Sequence, residues 1–147
     1  MKNDVRIAEK ETSMKKSKTI NKCKGWKVLL KKNRRSISDW DNLNIHSIRY
    51  PVNVEVFPSL KGSKLFFFKS EKDAKNYIGR LGRYNGVEYI TVKCIATNPK
   101  KQPFITNSLT QLTYFWDYVN KTKGASVPFT ENAPHGTYVA DSITCLR

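Results

Sequence analysis

Between residues 87 and 96 apolar side chains fall at every second position, with Ile90, Val92, Cys94 and Ala96 on one side of an extended backbone. A helix would scatter these four around its circumference, so the segment is committed to a half-buried strand. The Asn85-Gly86 pair just before it is a turn signal. A strand with one apolar face needs neighbours, and the chain supplies candidates. Trp26-Lys27-Val28-Leu29-Leu30 favours a short strand closed by a basic turn. Residues 45–50 read as another. Val52, Val54 and Val56 alternate with Asn53, Glu55 and Phe57 between breaks at Pro51 and Pro58. Leu65-Phe66-Phe67-Phe68 is apolar on both faces, as in a central strand. Phe104-Ile105 makes a short strand, residues 99–103 a basic loop, and residues 138–146 a final strand.

Two segments have helical periodicity instead. Ser70 is placed as an N-cap, with Glu71 and Asp73 at the positive end of the helix dipole. Ala74, Tyr77, Ile78 and Leu81 then form one apolar stripe, and Gly82 stands where a terminator belongs. Ser108 followed by Gln111 resembles a capping box. Leu109, Leu112, Phe115, Trp116 and Val119 supply that helix's buried face, and Gly124 closes it. The strands come in runs, without regular βαβ alternation. The expected fold is therefore α+β: one domain over residues 25–147, with a mixed or mainly antiparallel sheet of about six strands and two helices. A chain of 147 residues can bury such a core without staples.

Charge constrains the partners. Lys and Arg outnumber Asp and Glu by 27 to 12, and the excess is uneven. Residues 1–35 hold 13 basic and 3 acidic side chains. From Lys15 the cations Lys16, Lys18, Lys22, Lys24, Lys27, Lys31, Lys32, Arg34 and Arg35 follow with no acid between them. Such density is self-repelling, so residues 1–24 read as a flexible basic arm until counter-charge arrives. The bland alternative is a solubilising tail. Nucleic acid, DNA or RNA, is the commonest polyanion for such an arm, because each neutralised phosphate releases counterions. An acidic protein surface is the next candidate. Membrane insertion is disfavoured, since few large apolar residues accompany the lysines. Lys31-Lys32-Asn33-Arg34-Arg35 also has the form of a nuclear-import cluster.

A second candidate contact lies in Gly79-Arg80-Leu81-Gly82-Arg83-Tyr84-Asn85-Gly86. Arg80 and Arg83 would sit on phosphate and Tyr84 would stack on a base. The alternative makes the glycines a helix cap and a turn, which does not need the arginines. Phe67, Tyr114 and Tyr118 are aromatics without an obvious core position, hence candidates for a stacking platform.

Catalytic chemistry finds little support. His46 and His135 are not at ligand spacing from each other or from a cysteine, so no metal or other cofactor is expected. Cys94 alternates onto the buried face, which favours a core thiol over a nucleophile. There is no nucleophile elbow, no Walker A loop and no dinucleotide fingerprint. The longest apolar run, Leu65 to Phe68, is too short to cross a bilayer. Three cysteines without a CxxC pair, and no secretory-type leader, suggest reduced thiols inside a cell, in host cytoplasm, nucleus or a virion.

Ser70-Glu71-Lys72-Asp73-Ala74 after the 65–69 strand, with the later Pro134-His135-Gly136-Thr137-Tyr138-Val139-Ala140-Asp141-Ser142, resembles small uncharacterised proteins of phages and other viruses. The resemblance implies a host-directed or virion-associated role and transfers no active-site residue. Such a layout is also similar to the ADP-ribosyltransferase fold, whose catalytic set has no assignable counterpart here. The sequence thus points to a non-enzymatic, basic protein of viral type that associates with nucleic acid or a nucleic-acid-containing assembly. A structural or inhibitory protein docking on an acidic surface is the rival, and a transferase the minor alternative.

Overall fold

The computed structural model describes residues 19–36, 48–81, 87–106, 112–128 and 130–147. Among them lie nine strands and two helices, in an α+β arrangement. The strands are β1 (Lys22–Leu30), β2 (Glu55–Val56), β3 (Leu65–Phe68), β4 (Tyr89–Thr97), β5 (Lys100–Lys101), β6 (Phe104–Ile105), β7 (Glu131–Asn132), β8 (Thr137–Ala140) and β9 (Ser142–Cys145). The helices are α1 (Glu71–Leu81) and α2 (Leu112–Val119). Seven strands form one antiparallel sheet in the order β2-β9-β4-β1-β3-β8-β5, and β6 pairs with β7 separately.

That order requires a curled sheet. β8 and β9 are joined by Asp141 alone, yet stand four places apart. Four inter-strand gaps in a flat sheet span roughly 19 Å, at about 4.8 Å each. Two Cα steps cover about 7.6 Å. The sheet therefore bends round until residues 137–145 act as one kinked strand, pairing first with β3 and then with β4. Asp141 pins the kink. Its N–H donates to the Thr97 carbonyl, and its carboxylate accepts from Lys64 Nζ (2.6 Å) and Asn98 Nδ2 (2.9 Å). Burial pushes the Asp141 carboxyl up, but the Lys64 and Asn98 hydrogen bonds outweigh it and hold the group below its ordinary value.

Strand alternation sorts the core. The inner face of the curl carries Leu29, Leu65, Phe67, Val92, Cys94, Ala96, Ala140, Ile143 and Cys145, with Tyr50 added from the loop before β2. The other face of the same strands receives the helices. Ala74 of α1 packs against Val28 and Phe68, and Phe115 and Trp116 of α2 pack against Val139. Gly25 faces inward, where a Cβ would overlap the Phe67 ring and approach the Phe68 carbonyl oxygen to 2.8 Å. No side chain fits there. Phe67, which the sequence leaves without a core role, is 1% exposed at the centre of the curl.

Several local expectations are realised. The Asp73 N–H donates to Ser70 Oγ (3.1 Å), which is the N-cap bond, and Glu71 pairs with Lys75 one turn on. Trp116 is buried, as its stripe requires. Others need correction. β1 begins at Lys22, not Trp26: Lys22, Cys23 and Lys24 pair with Thr97, Ala96 and Ile95 and so belong to the sheet. The alternating valines give only a two-residue β2, because Asn53 turns left-handed (φ 63°) and Val54 stays exposed. Of the expected 45–50 strand, residues 48–50 are described, and they offer one isolated bridge, Arg35 to Arg49. The expected basic loop contains β5, which pairs with β8. Gly82, Ser108, Leu109 and Gln111 lie outside the described residues.

The end of α2 also differs. Its cap is Lys121, at φ 58°, and not Gly124. The Thr122 N–H reaches the Asp117 carbonyl and the Lys121 N–H the Tyr118 carbonyl, the paired bonds of a Schellman motif. A side chain in left-handed backbone is strained. Lys121→Gly is therefore expected to stabilise the protein by about 0.5–1 kcal/mol, measured as a shift in denaturation midpoint.

Candidate nucleic-acid interface

β1 and β4 are registered over nine positions. Because opposed residues share a face, Lys22, Lys24 and Trp26 point outward together with Thr97, Ile95 and Lys93. α1 covers the end of this face nearest Val28, with Trp26 at its border. Beyond that border Lys22, Lys24 and Lys93 are exposed, and Lys93 Nζ lies 5.9 Å from the centroid of the half-buried Trp26 ring. On the neighbouring strands the face continues through Thr144 to Glu55, whose carboxylate accepts from Ser142 Oγ (2.6 Å).

The structure divides the cation run that reads as uniform in sequence. Lys22 and Lys24 sit on this outer face. Lys32 is exposed in the following turn, and Lys31 pairs with Glu88 (3.2 Å). Lys27 is a correction: it is 8% exposed and on the inner face, out of reach of a phosphate backbone. Its Nζ donates to the Phe66 carbonyl and lies 5.0 Å from the Tyr50 ring centroid. Burial lowers the amine to about 8, against the opposing pull of Cys145 and Cys94. Arg34 is a second correction. Its Nε donates to the Tyr50 carbonyl (2.8 Å) and its Nη2 to the Leu146 carbonyl (3.2 Å), so it staples the turn after β1 to the C-terminal end. Arg35 is half-buried in its bridge with Arg49. Arg80 is exposed in the last turn of α1. Lys15, Lys16, Lys18, Arg83 and Tyr84 lie outside the described residues.

Trp26 and Lys93 are the members that sequence reasoning missed. The signal was present: Lys93 breaks the apolar run on the strand face opposite Val92 and Cys94. Its partner strand, however, is known only from the register. Tyr114 and Tyr118, one turn apart on α2, are each 48% exposed and form a separate aromatic ledge.

The buried thiols have little chemistry to offer. Burial and the neighbouring Cys145 push the Cys94 thiol up to about 12, despite Lys27, and burial raises Cys145 to about 11. Neither is a thiolate near neutrality. Among the described residues no group of three or more His, Cys, Asp or Glu side chains is placed to hold a metal ion, and no helix is long and apolar enough to cross a membrane. Comparison with known proteins finds no matching family model, no matching curated protein and no matching solved structure.

Proposed function

We propose that this is a non-enzymatic nucleic-acid-binding protein whose contact surface is the outer face of β1 and β4. The observation that carries the reading is the alignment of Lys22, Lys24 and Lys93 with Trp26 along one sheet face, beyond the part that α1 covers. Cations supply the sequence-independent attraction to phosphate, and a half-exposed indole offers a surface for a base. The cations Lys15, Lys16 and Lys18 precede this face directly in sequence and add to the charge available to a polyanion.

The test replaces Lys22, Lys24 and Lys93 together by Gln. All three are exposed, so the fold should stay within about 0.5 kcal/mol of wild type. Affinity for duplex and single-stranded oligonucleotides should fall, and the log–log salt slope should flatten by about one for each phosphate that is no longer neutralised. Wild-type affinity in the triple variant rejects the face. Retention by one acidic protein partner, unchanged after nuclease treatment, rejects nucleic acid as the ligand.

A further inference from the structure

β1 meets β4 over nine positions and β3 meets β8 over four, but β1 and β3 are paired at one position, Trp26 opposite Phe68. Where these two strands part, a pocket of about 210 Å³ opens. Leu60, Phe66 and Trp116 form apolar wall, the last two with ring centroids 5.7 Å apart. Lys27 and Tyr50, both deeply buried, line it together with the buried Thr106 and Thr137. Lys27 Nζ uses one of its three N–H groups on the Phe66 carbonyl. The Tyr50 hydroxyl donates no hydrogen bond among the described residues.

The remaining polar groups on the pocket wall are largely engaged. Ser63 Oγ donates to the Leu60 carbonyl, Thr137 Oγ1 to the Pro134 carbonyl and Lys64 to Asp141. No carboxylate of a described residue lines the space. Its chemistry is therefore two buried donors, one of them cationic, beside aromatic wall. Buried donors without acceptors are costly, and an anionic acceptor relieves that cost better than a neutral one. Size limits the rest of the ligand. A cavity of about 150 Å³ accommodates benzene, so the larger pocket has room for one ring and a short polar head.

We propose that this pocket binds a single-ring aromatic carboxylate, with the carboxylate on Lys27 Nζ and the Tyr50 hydroxyl and the ring against Leu60, Phe66 and Trp116. The anchoring amine is separate from the outer β1–β4 cations, because Lys27 and its neighbour Trp26 lie on opposite faces of β1, although Val28 and Phe68 from the Trp26 side also line the pocket. Benzoate, benzylamine and toluene titrated into the full-length protein test it, by calorimetry and thermal melting. Benzoate should bind and raise the melting midpoint, and benzylamine, of the same shape and opposite charge, should not. Lys27→Met should weaken benzoate at least about tenfold, the loss of a charge-assisted hydrogen bond, and leave toluene binding unchanged. Tyr50→Phe should weaken benzoate by a smaller factor, and it decides the matter with the benzoate–benzylamine contrast if the Lys27 variant does not fold. Absence of benzoate binding, equal response to benzylamine, or undiminished benzoate affinity in both variants overturns the proposal.

Discussion

Affinity for a duplex oligonucleotide is expected to fall by roughly 10³–10⁵ between 50 and 200 mM salt, the loss that accompanies six to ten neutralised phosphates. The structure supplies about that many cations, though not the ones a charge count selects. Of the ten from Lys15 to Arg35, Lys27 is buried and Arg34 is committed to backbone carbonyls. Eight are left in the sequence: Lys15, Lys16 and Lys18 lie outside the described residues, Lys31 already pairs with Glu88, Arg35 is half-buried beside Arg49, and Lys93 joins from β4. Each phosphate they neutralise contributes about −0.9 to the log–log slope. The truncation that isolates the N-terminal contribution must stop before β1. Removing residues 1–18 takes Lys15, Lys16 and Lys18, with Lys2, Arg6 and Lys10 offset by Asp4, Glu9 and Glu11, and leaves every paired position of β1 in place. Cutting to residue 24 would also remove Lys22, Cys23 and Lys24 from the sheet. The shorter truncation should flatten the slope by about three phosphates' worth, and the Lys22, Lys24 and Lys93 variant by a similar amount. Fluorescence anisotropy at several salt concentrations reads both. Identical slopes in all three proteins, or no binding at low salt, would remove the nucleic-acid reading.

Features governed by neighbours in sequence were legible. Ser70 caps α1 because capping is a three-residue bond, and β4 is a strand because its alternation lies within one segment. The curl was not legible. Residues 138–146 look like one strand, and only the identity of their partners, β3 for one half and β4 for the other, reveals the kink at Asp141. Lys27 shows a subtler failure. Period two places it with Gly25 and Leu29 on the inner face of β1, so its burial was readable from alternation. Counting it as one cation among ten hid that reading. For the same reason Lys93, an isolated cation, carries no signal in a charge count, and only the register sets it beside Trp26.

Burial of that amine gives the second large expectation: Lys27→Met should stabilise the fold by about 2 kcal/mol near pH 7. The free amine titrates at 10.5 and the folded one at about 8. That gap corresponds to roughly 3 kcal/mol of penalty on the charged form. Methionine removes the charge and keeps most of the length, but forfeits the hydrogen bond to the Phe66 carbonyl, a loss of about 1 kcal/mol. The sign of the pH dependence follows from proton counting. Below about pH 8 both states hold the proton and wild type bears the whole penalty. From about 8 to 10.5 the unfolded chain binds more protons than the folded one, so wild-type stability rises through that window. Cys94, Cys145 and Tyr50 act oppositely at higher pH, since the folded state keeps them protonated after the unfolded chain has ionised. Lys27 lowers both thiols, but in the folded state they stay protonated through that window with or without it, so their effect nearly cancels in the difference. The advantage of Lys27→Met should therefore shrink steadily above pH 8 and reverse at roughly pH 9.5–10, because the neutral amine retains its hydrogen bond. Urea denaturation of both proteins at closely spaced pH values measures it. A difference that stays constant across that range would mean that Lys27 is not titrating inside the sheet.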